Sequence, residues 1–138
     1  MKLFRVIMPV SDIERAAVFY TAVLGLQGER VSPGRHYFDC GGTILACFDS
    51  ELEDSIPSAP NPQFIYLAVK DLEGVLQRAL QSGCVLSRGG ISTQPWGERM
   101  FWTHDPFGNP ISFVDEATLL TSLAKAPLNY DPATGKSN

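Results

Sequence analysis

FRVIMPVSDIER, residues 4–15, returns 59 residues later as QFIYLAVKDLEG, residues 63–74. Val10 falls on Val69, Asp12 on Asp71 and Glu14 on Glu73. Val6, Met8 and Val10, like Ile65, Leu67 and Val69, are apolar at alternate positions, the period of a strand with one buried face. Each strand runs into a helix. Ser11 and Glu14 have the spacing of a capping box, with Ser11 as N-cap, and Asp71 can cap the second copy. Ile13, Ala16, Ala17, Tyr20 and Leu24 recur with helical spacing, as do Leu72, Val75, Leu76, Ala79 and Leu80. Gly25 and Gly83 stand where helix C-termini favour glycine.

Further along the offset becomes 66: Asp39-Cys40-Gly41-Gly42 falls on Asp105-Pro106-Phe107-Gly108, and Asp49 on Asp115. Both tetrapeptides predict tight turns, joining strands at 34–38 and 43–48 in one copy and 99–104 and 110–114 in the other. The change of offset places about seven extra residues within Ser87–Glu98 of the second copy. Each copy therefore reads as strand, helix, strand and hairpin, a βαβββ module. The expectation is an α+β fold: one domain over 1–116, built of modules 1–50 and 62–116 around a proline-bearing linker at 51–61. A short helix and polar tail are expected over 117–138.

The 138 residues, 44% hydrophobic and 19% charged, can bury a core without disulfide staples. A net charge of -4, with eleven basic residues scattered along the chain, gives no electrostatic footprint for nucleic acid or an anionic membrane. The longest apolar runs are strand-sized, so no membrane span is expected. Met1-Lys2-Leu3 leads directly into a strand pattern, which argues against a signal peptide. Cys40, Cys47 and Cys84 are odd in number and show no C-x-x-C pairing, which favours reduced thiols in a cytoplasmic setting over a structural zinc.

Val10–Leu26 (VSDIERAAVFYTAVLGL), Val69–Val75 (VKDLEGV) and Asp105–Asp115 (DPFGNPISFVD), in this order and spacing, resemble the vicinal oxygen chelate (glyoxalase, bleomycin resistance protein, dioxygenase) superfamily. The resemblance covers about 1–116. It implies curved mixed sheets around a cup, helices outside and the ligand within, and commonly a homodimer in which modules of two chains complete each cup. It also implies four metal-ligand positions in the superfamily's enzymes. Carried over, these fall on Arg5, Ala46, Phe64 and Ser112. Arginine is a permanent cation, phenylalanine and alanine offer no lone pair, and serine is a weak neutral ligand. The chain is thus expected to hold no metal and to need no cofactor.

Strand parity sets Val6, Met8 and Val10 against the helices and leaves Arg5, Ile7 and Pro9, with Phe64, Tyr66 and Ala68, on the opposite face. That face suits a ligand cavity, and equally the wet side of a sheet. If Phe101 pairs with Ser112 across the second hairpin, Arg99 joins this face, with Arg35 and Tyr37 as first-copy equivalents. Arginines among aromatic rings suit a planar or anionic organic molecule. Trp96, in the inserted loop, reads either as a lid or as a cover for the core. His36 and His104 read as structural, with His104 pointing toward the helices, and Cys47 as a buried inert thiol.

Two functions follow. One is a metal-free protein that binds a small organic molecule, as bleomycin-resistance-like members do. The other is a metal-free lyase or isomerase that polarises a carbonyl with arginine or tyrosine and uses Glu98 for proton transfer. The absence of a placeable acid–base pair favours the first.

Overall fold

A computed structural model describes residues 1–120, with the backbone of Tyr130–Asp131 and Lys136–Ser137 beyond them. In chain order the elements are β1 (Arg5–Pro9), α1 (Ile13–Leu24), β2 (Glu29–Ser32), β3 (Arg35–Cys40), β4 (Thr43–Phe48), α2 (Ser50–Asp54) and β5 (Ile65–Val69). Then come α3 (Leu72–Gln81), β6 (Ser92–Thr93), β7 (Arg99–His104), β8 (Pro110–Asp115) and a short pairing of β9 (Tyr130–Asp131) with β10 (Lys136–Ser137). A 3-10 turn at Glu116–Thr118 follows β8, and the expected continuation of a helix toward Ala126 lies outside the described residues.

The repeat is real in space. One sheet has the order β1-β4-β3-β2 and the other β5-β8-β7-β6. In each, the first strand runs parallel to the last through a helical crossover, and a hairpin supplies the antiparallel neighbour. Both crossover helices start on an aspartate. Asp12, rather than Ser11, is the N-cap of α1: its carboxylate accepts the Arg15 N–H at 3.1 Å, as Asp71 accepts that of Gly74 at 3.0 Å. Aspartate accepts from an N–H and complements the helix dipole together, so the motif's own acid takes the position one residue later than Ser11. Gly25 ends α1 at φ +66°, a conformation that a Cβ would strain.

Val6, Met8, Leu45 and Phe38 of one sheet, and Leu67, Phe101, Ile111 and Phe113 of the other, close on Ile13, Phe19, Tyr20, Leu72, Val75 and Ala79 of the helices as a single core. Each large side chain so buried contributes roughly 1.5–3 kcal/mol. No helix among the described residues is long and apolar enough to cross a membrane.

A buried polar latch joins the modules. Tyr20 donates to Asp105 at 2.6 Å, and Asp105 also accepts the N–H groups of Phe107 and Asn109 and the Asn109 side-chain amide. Asn109 reaches back to the Pro9 carbonyl at 2.6 Å and accepts the Asn61 N–H at 2.8 Å, while Asn61 donates to the Ile7 carbonyl. The outward carbonyls of edge strand β1 are thus capped by two asparagines, and Pro9 has no N–H to expose. In the other copy Ala79 stands for Tyr20 and Thr43 for Asn109, so the symmetry-related latch is missing. There a groove of about 780 Å³ opens between the β1 and β5 sides, lined by residues that include Val6, Cys40, Ile44, Leu67 and Val75.

Candidate functional site

The face of each sheet turned away from the helices, its open face, follows from the strand register. In the first module Ile7, Ala46 and Tyr37 lie side by side across three strands, flanked by Arg5 with Ile44 and Asp39, and by Pro9 with Phe48 and Arg35. Ala46 is fully buried beneath its neighbours, whereas Ile7 is 44% exposed. The Arg5 guanidinium stacks 5.0 Å from the ring of Phe4 and 5.1 Å from that of Tyr37, with no carboxylate partner among the described residues. Arg35 stacks over Phe48 and is neutralised by Glu53 at 3.5 Å. Glu53 also accepts from Ser32 and from the Gly34 N–H, and these contacts, the Ser32 hydroxyl foremost, hold its carboxyl below the usual range.

In the second module the register corrects three expected positions, those of Arg99, Phe101 and His104. Ser112 pairs with Trp102, not with Phe101, and Tyr66 lies on its other side. Tyr37 and Trp102, which flank the equivalent residues Ala46 and Ser112, are separated by 65 rather than 66 positions. Tyr37 and Ala46 are nine positions apart and Trp102 and Ser112 ten, so the second hairpin carries one more residue between equivalent positions, and a slip of one reverses every side chain of the strand. Arg99 and Phe101 therefore face the helices. Phe101 is fully buried against Phe113, and Arg99 is held by Glu73 of α3 and by Asp115 at 3.3 Å. His104, expected on the helix side, stands instead on the open face, 6.0 Å from the Phe64 ring, and its Nδ1 lies 2.9 Å from the Ser87 hydroxyl.

The second open face is thus richer in aromatics than the sequence suggested. Met100, Trp102 and Val114 form a small cluster separate from the main core, with Phe64 and Leu119 packed on it. Ser112 is fully buried, its hydroxyl donating to the Phe101 carbonyl at 3.0 Å. Arg88 stacks 4.7 Å from the Trp102 ring and 5.4 Å from that of Phe64, again with no carboxylate partner among the described residues. Beside this, a pocket of about 360 Å³ is lined by Tyr66, Ala68, Trp96, Glu98, Met100, Val114 and Leu119. Tyr66 and Trp96 are 56% and 41% exposed at its rim. The two oxygens of Glu98 accept the Trp96 indole N–H at 2.7 Å and the Leu120 N–H at 3.1 Å. Both carboxylate oxygens take part in holding the rim.

Sequence reasoning missed Met100, Trp102 and Arg88. A length comparison of the two turns, Gly41-Gly42 against the longer Asp105–Asn109, carries the signal for the first two. Arg88 lies in the insertion, where the repeat offers no partner to align.

The sequence profile of the Glyoxalase/Bleomycin resistance protein/Dioxygenase superfamily matches residues 2–113. The chain belongs to that superfamily. Among solved structures, a glyoxalase-related enzyme from Fulvimarina pelagi superposes with a TM-score of 0.72 at 18% identity, covering 85% of this chain and 89% of that one. A superfamily member from Sphaerobacter thermophilus gives 0.66 at 23% identity, covering 84% and 98%. Lactoylglutathione lyase from Agrobacterium tumefaciens gives 0.65 at 20% identity, covering 83% and 93%. Likeness at these identities concerns the fold alone. No curated protein matches the chain.

Within the superfamily's framework the four carried-over ligand positions fall two to a sheet. Arg5 and Ala46 share the first open face, Phe64 and Ser112 the second. None supplies a carboxylate or imidazole, and the Ser112 hydroxyl is already committed to a carbonyl. This donor set does not fit a divalent ion. No group of three His, Cys, Asp or Glu side chains among the described residues could hold one elsewhere.

Proposed function

We propose that this member of the superfamily binds a small planar or anionic organic molecule on its open faces, without a metal. The observation that carries the reading is the pairing of arginines. Arg35 and Arg99 are neutralised within the chain, whereas Arg5 and Arg88, one on each open face, lie over aromatic rings with their charge unmatched among the described residues. A guanidinium stacked on a ring keeps its in-plane N–H groups available to a ligand oxyanion. Ile7, Tyr66 and Trp96, exposed on the same two faces, supply apolar surface for the rest of the molecule. Such exposure also favours a second copy of the chain, whose module would close over each face to form a symmetric dimer. A cytoplasmic setting, with all three cysteines reduced, agrees with their free state.

Native mass spectrometry of the protein purified gently from its source tests the proposal. The expected spectrum is a dimer carrying a small organic molecule, released on denaturation, with no stoichiometric metal. A ligand-free monomer, or retention of one metal ion per chain after dialysis, rejects it.

A further inference from the structure

Trp102 is 5% exposed, and its indole N–H is the one buried side-chain polar atom with no hydrogen-bond partner among the described residues. Buried donors are paired in the great majority of cases, and an unpaired one calls for an explanation. The register puts Trp102 in the row Tyr66–Ser112–Trp102 of the second open face. Ser112, beside it, gives its hydroxyl to the Phe101 carbonyl. The guanidinium of Arg88 lies over the indole ring and over that of Phe64, on a cluster that Met100, Val114 and Leu119 complete. Arg88 is followed by Gly89 at φ +77° and by Gly90, and a Cβ added at either would meet nothing within 4 Å. No neighbouring side chain crowds the two residues that follow Arg88, while the Ser87 N–H donates to the Trp102 carbonyl at 2.9 Å and ties the residue before it to β7.

We infer that Trp102 and Arg88 form a subsite for an aromatic carboxylate, in which Arg88 lies as a placeholder on the rings that the ligand takes. Arg88 is planar, as the ligand's ring system is, and stacks where a flat molecule stacks. On binding, the ring system lies against Phe64 and Trp102 and extends toward the pocket beside Tyr66 and Met100. The displaced guanidinium turns about its own side-chain torsions to meet the carboxylate with two N–H groups, and the Trp102 indole N–H donates to the same anion. Three donors, two of them cationic, converge on one planar oxyanion, and this is the geometry that arginine serves better than lysine. No bond is made or broken. The inference rests on the small-molecule reading above and narrows it: a neutral ligand found by mass spectrometry would leave that reading standing and remove this one.

The chain has two tryptophans, Trp96 and Trp102. Proton–nitrogen NMR of the full chain therefore shows two indole N–H signals, and Trp96→Phe, at an exposed rim position, assigns them. The probes are 2-naphthoate, its neutral isostere 2-naphthamide, and 2-naphthylmethylamine. The expected result is a saturable downfield shift of the Trp102 indole signal with naphthoate at concentrations up to the order of millimolar, and little response to the amide or the amine. Arg88→Gln should weaken naphthoate binding about tenfold or more and leave the amide unchanged. Arg88→Lys should restore only part of the loss, because an ammonium cannot make the planar double contact. An unshifted Trp102 signal, equal response to acid and amide, preference for the amine, or unchanged affinity in Arg88→Gln each overturns the inference. Arg88 sits in an exposed loop, so the variant's remaining spectrum verifies that the fold is intact.

Discussion

Replacing Tyr20 with phenylalanine removes a single oxygen from the centre of the latch between the modules. The ring is fully buried, and its hydroxyl donates to Asp105 at 2.6 Å. A hydrogen bond to a charged acceptor contributes about 1.5–3 kcal/mol. Asp105 keeps three other donors, from Phe107 and Asn109, so Tyr20→Phe does not leave a bare buried charge. The loss should fall within that range, or roughly 5–12 °C in Tm for a chain of this size. Asp105→Ala strands several donors at once and should cost more, about 3–5 kcal/mol. In urea melts Tyr20→Phe, Asp105→Asn and the double variant form a cycle, and the double variant should lose less than the sum of the singles. The pH dependence follows the same geometry. Burial first, and the Asp105 charge second, push the Tyr20 hydroxyl well above its ordinary value near 10. A group with a raised folded pKa stabilises fully below its unfolded value, so the contribution is lost as pH rises past about 10. Tyr20→Phe should accordingly unfold less steeply in alkali, and match the parent in phenolate absorbance until the parent unfolds. A loss below about 0.5 kcal/mol, or additive singles, would refute the latch.

Arg5→Ala should weaken ligand binding by roughly 1.5–3 kcal/mol, the range for a charged hydrogen bond, with little change in Tm, because the side chain is exposed and unpaired among the described residues. A large fall in Tm with unchanged affinity would assign Arg5 to the fold. Arg99→Ala should do the reverse, costing about 1 kcal/mol or less of stability by cutting the ties to Glu73 and Asp115 and leaving ligand affinity unchanged. Burial, and after it the Arg30 charge, lower the His36 pKa, so stability should decline as pH falls from about 6.5 toward its folded value, and His36→Gln should flatten that decline in melts across the range. Gly28→Ala should disturb the same place, since its Cβ would lie 2.4 Å from the His36 ring and 2.7 Å from that of Phe38, and a calorimetric Tm equal to the parent's would contradict that crowding.

The order and type of the main elements were legible because the repeat supplies two readings of each. Alternation in β1 and β5, helical spacing in α1 and α3, and the hairpins all carry over, and each copy supports the other. What the repeat could not show is where the copies differ. Ser11 looked like the N-cap because serine three residues before glutamate is a strong pattern, yet Asp12 matches Asp71 and both cap. The role of DPFGN was also invisible. Read as a turn, it is the side of the latch that receives Tyr20 and holds Pro9, and only tertiary contact reveals that Asp105 and Asn109 are buried.

Which residues share the open face was legible on the first sheet and not on the second, and one residue explains the difference. Between Tyr37 and Ala46 the chain makes a hairpin around Gly41-Gly42, and between Trp102 and Ser112 it makes one around a longer turn. Aligning the two turns end to end hides the extra residue and carries β7 through half a pleat. Because side chains alternate with period two, the error does not blur the assignment but inverts it. Arg99 and Phe101 moved to the core side, and Met100, Trp102 and His104 to the open one. The hydrophobic pattern gave no warning: β7 reads RMFWTH, apolar at three successive positions, and both its faces are buried. A strand that buries both faces carries no alternation to fix its phase, so parity there has to come from the turn. Trp102, with its unpaired N–H under Arg88, was beyond reach for this reason, although its identity stood in plain view.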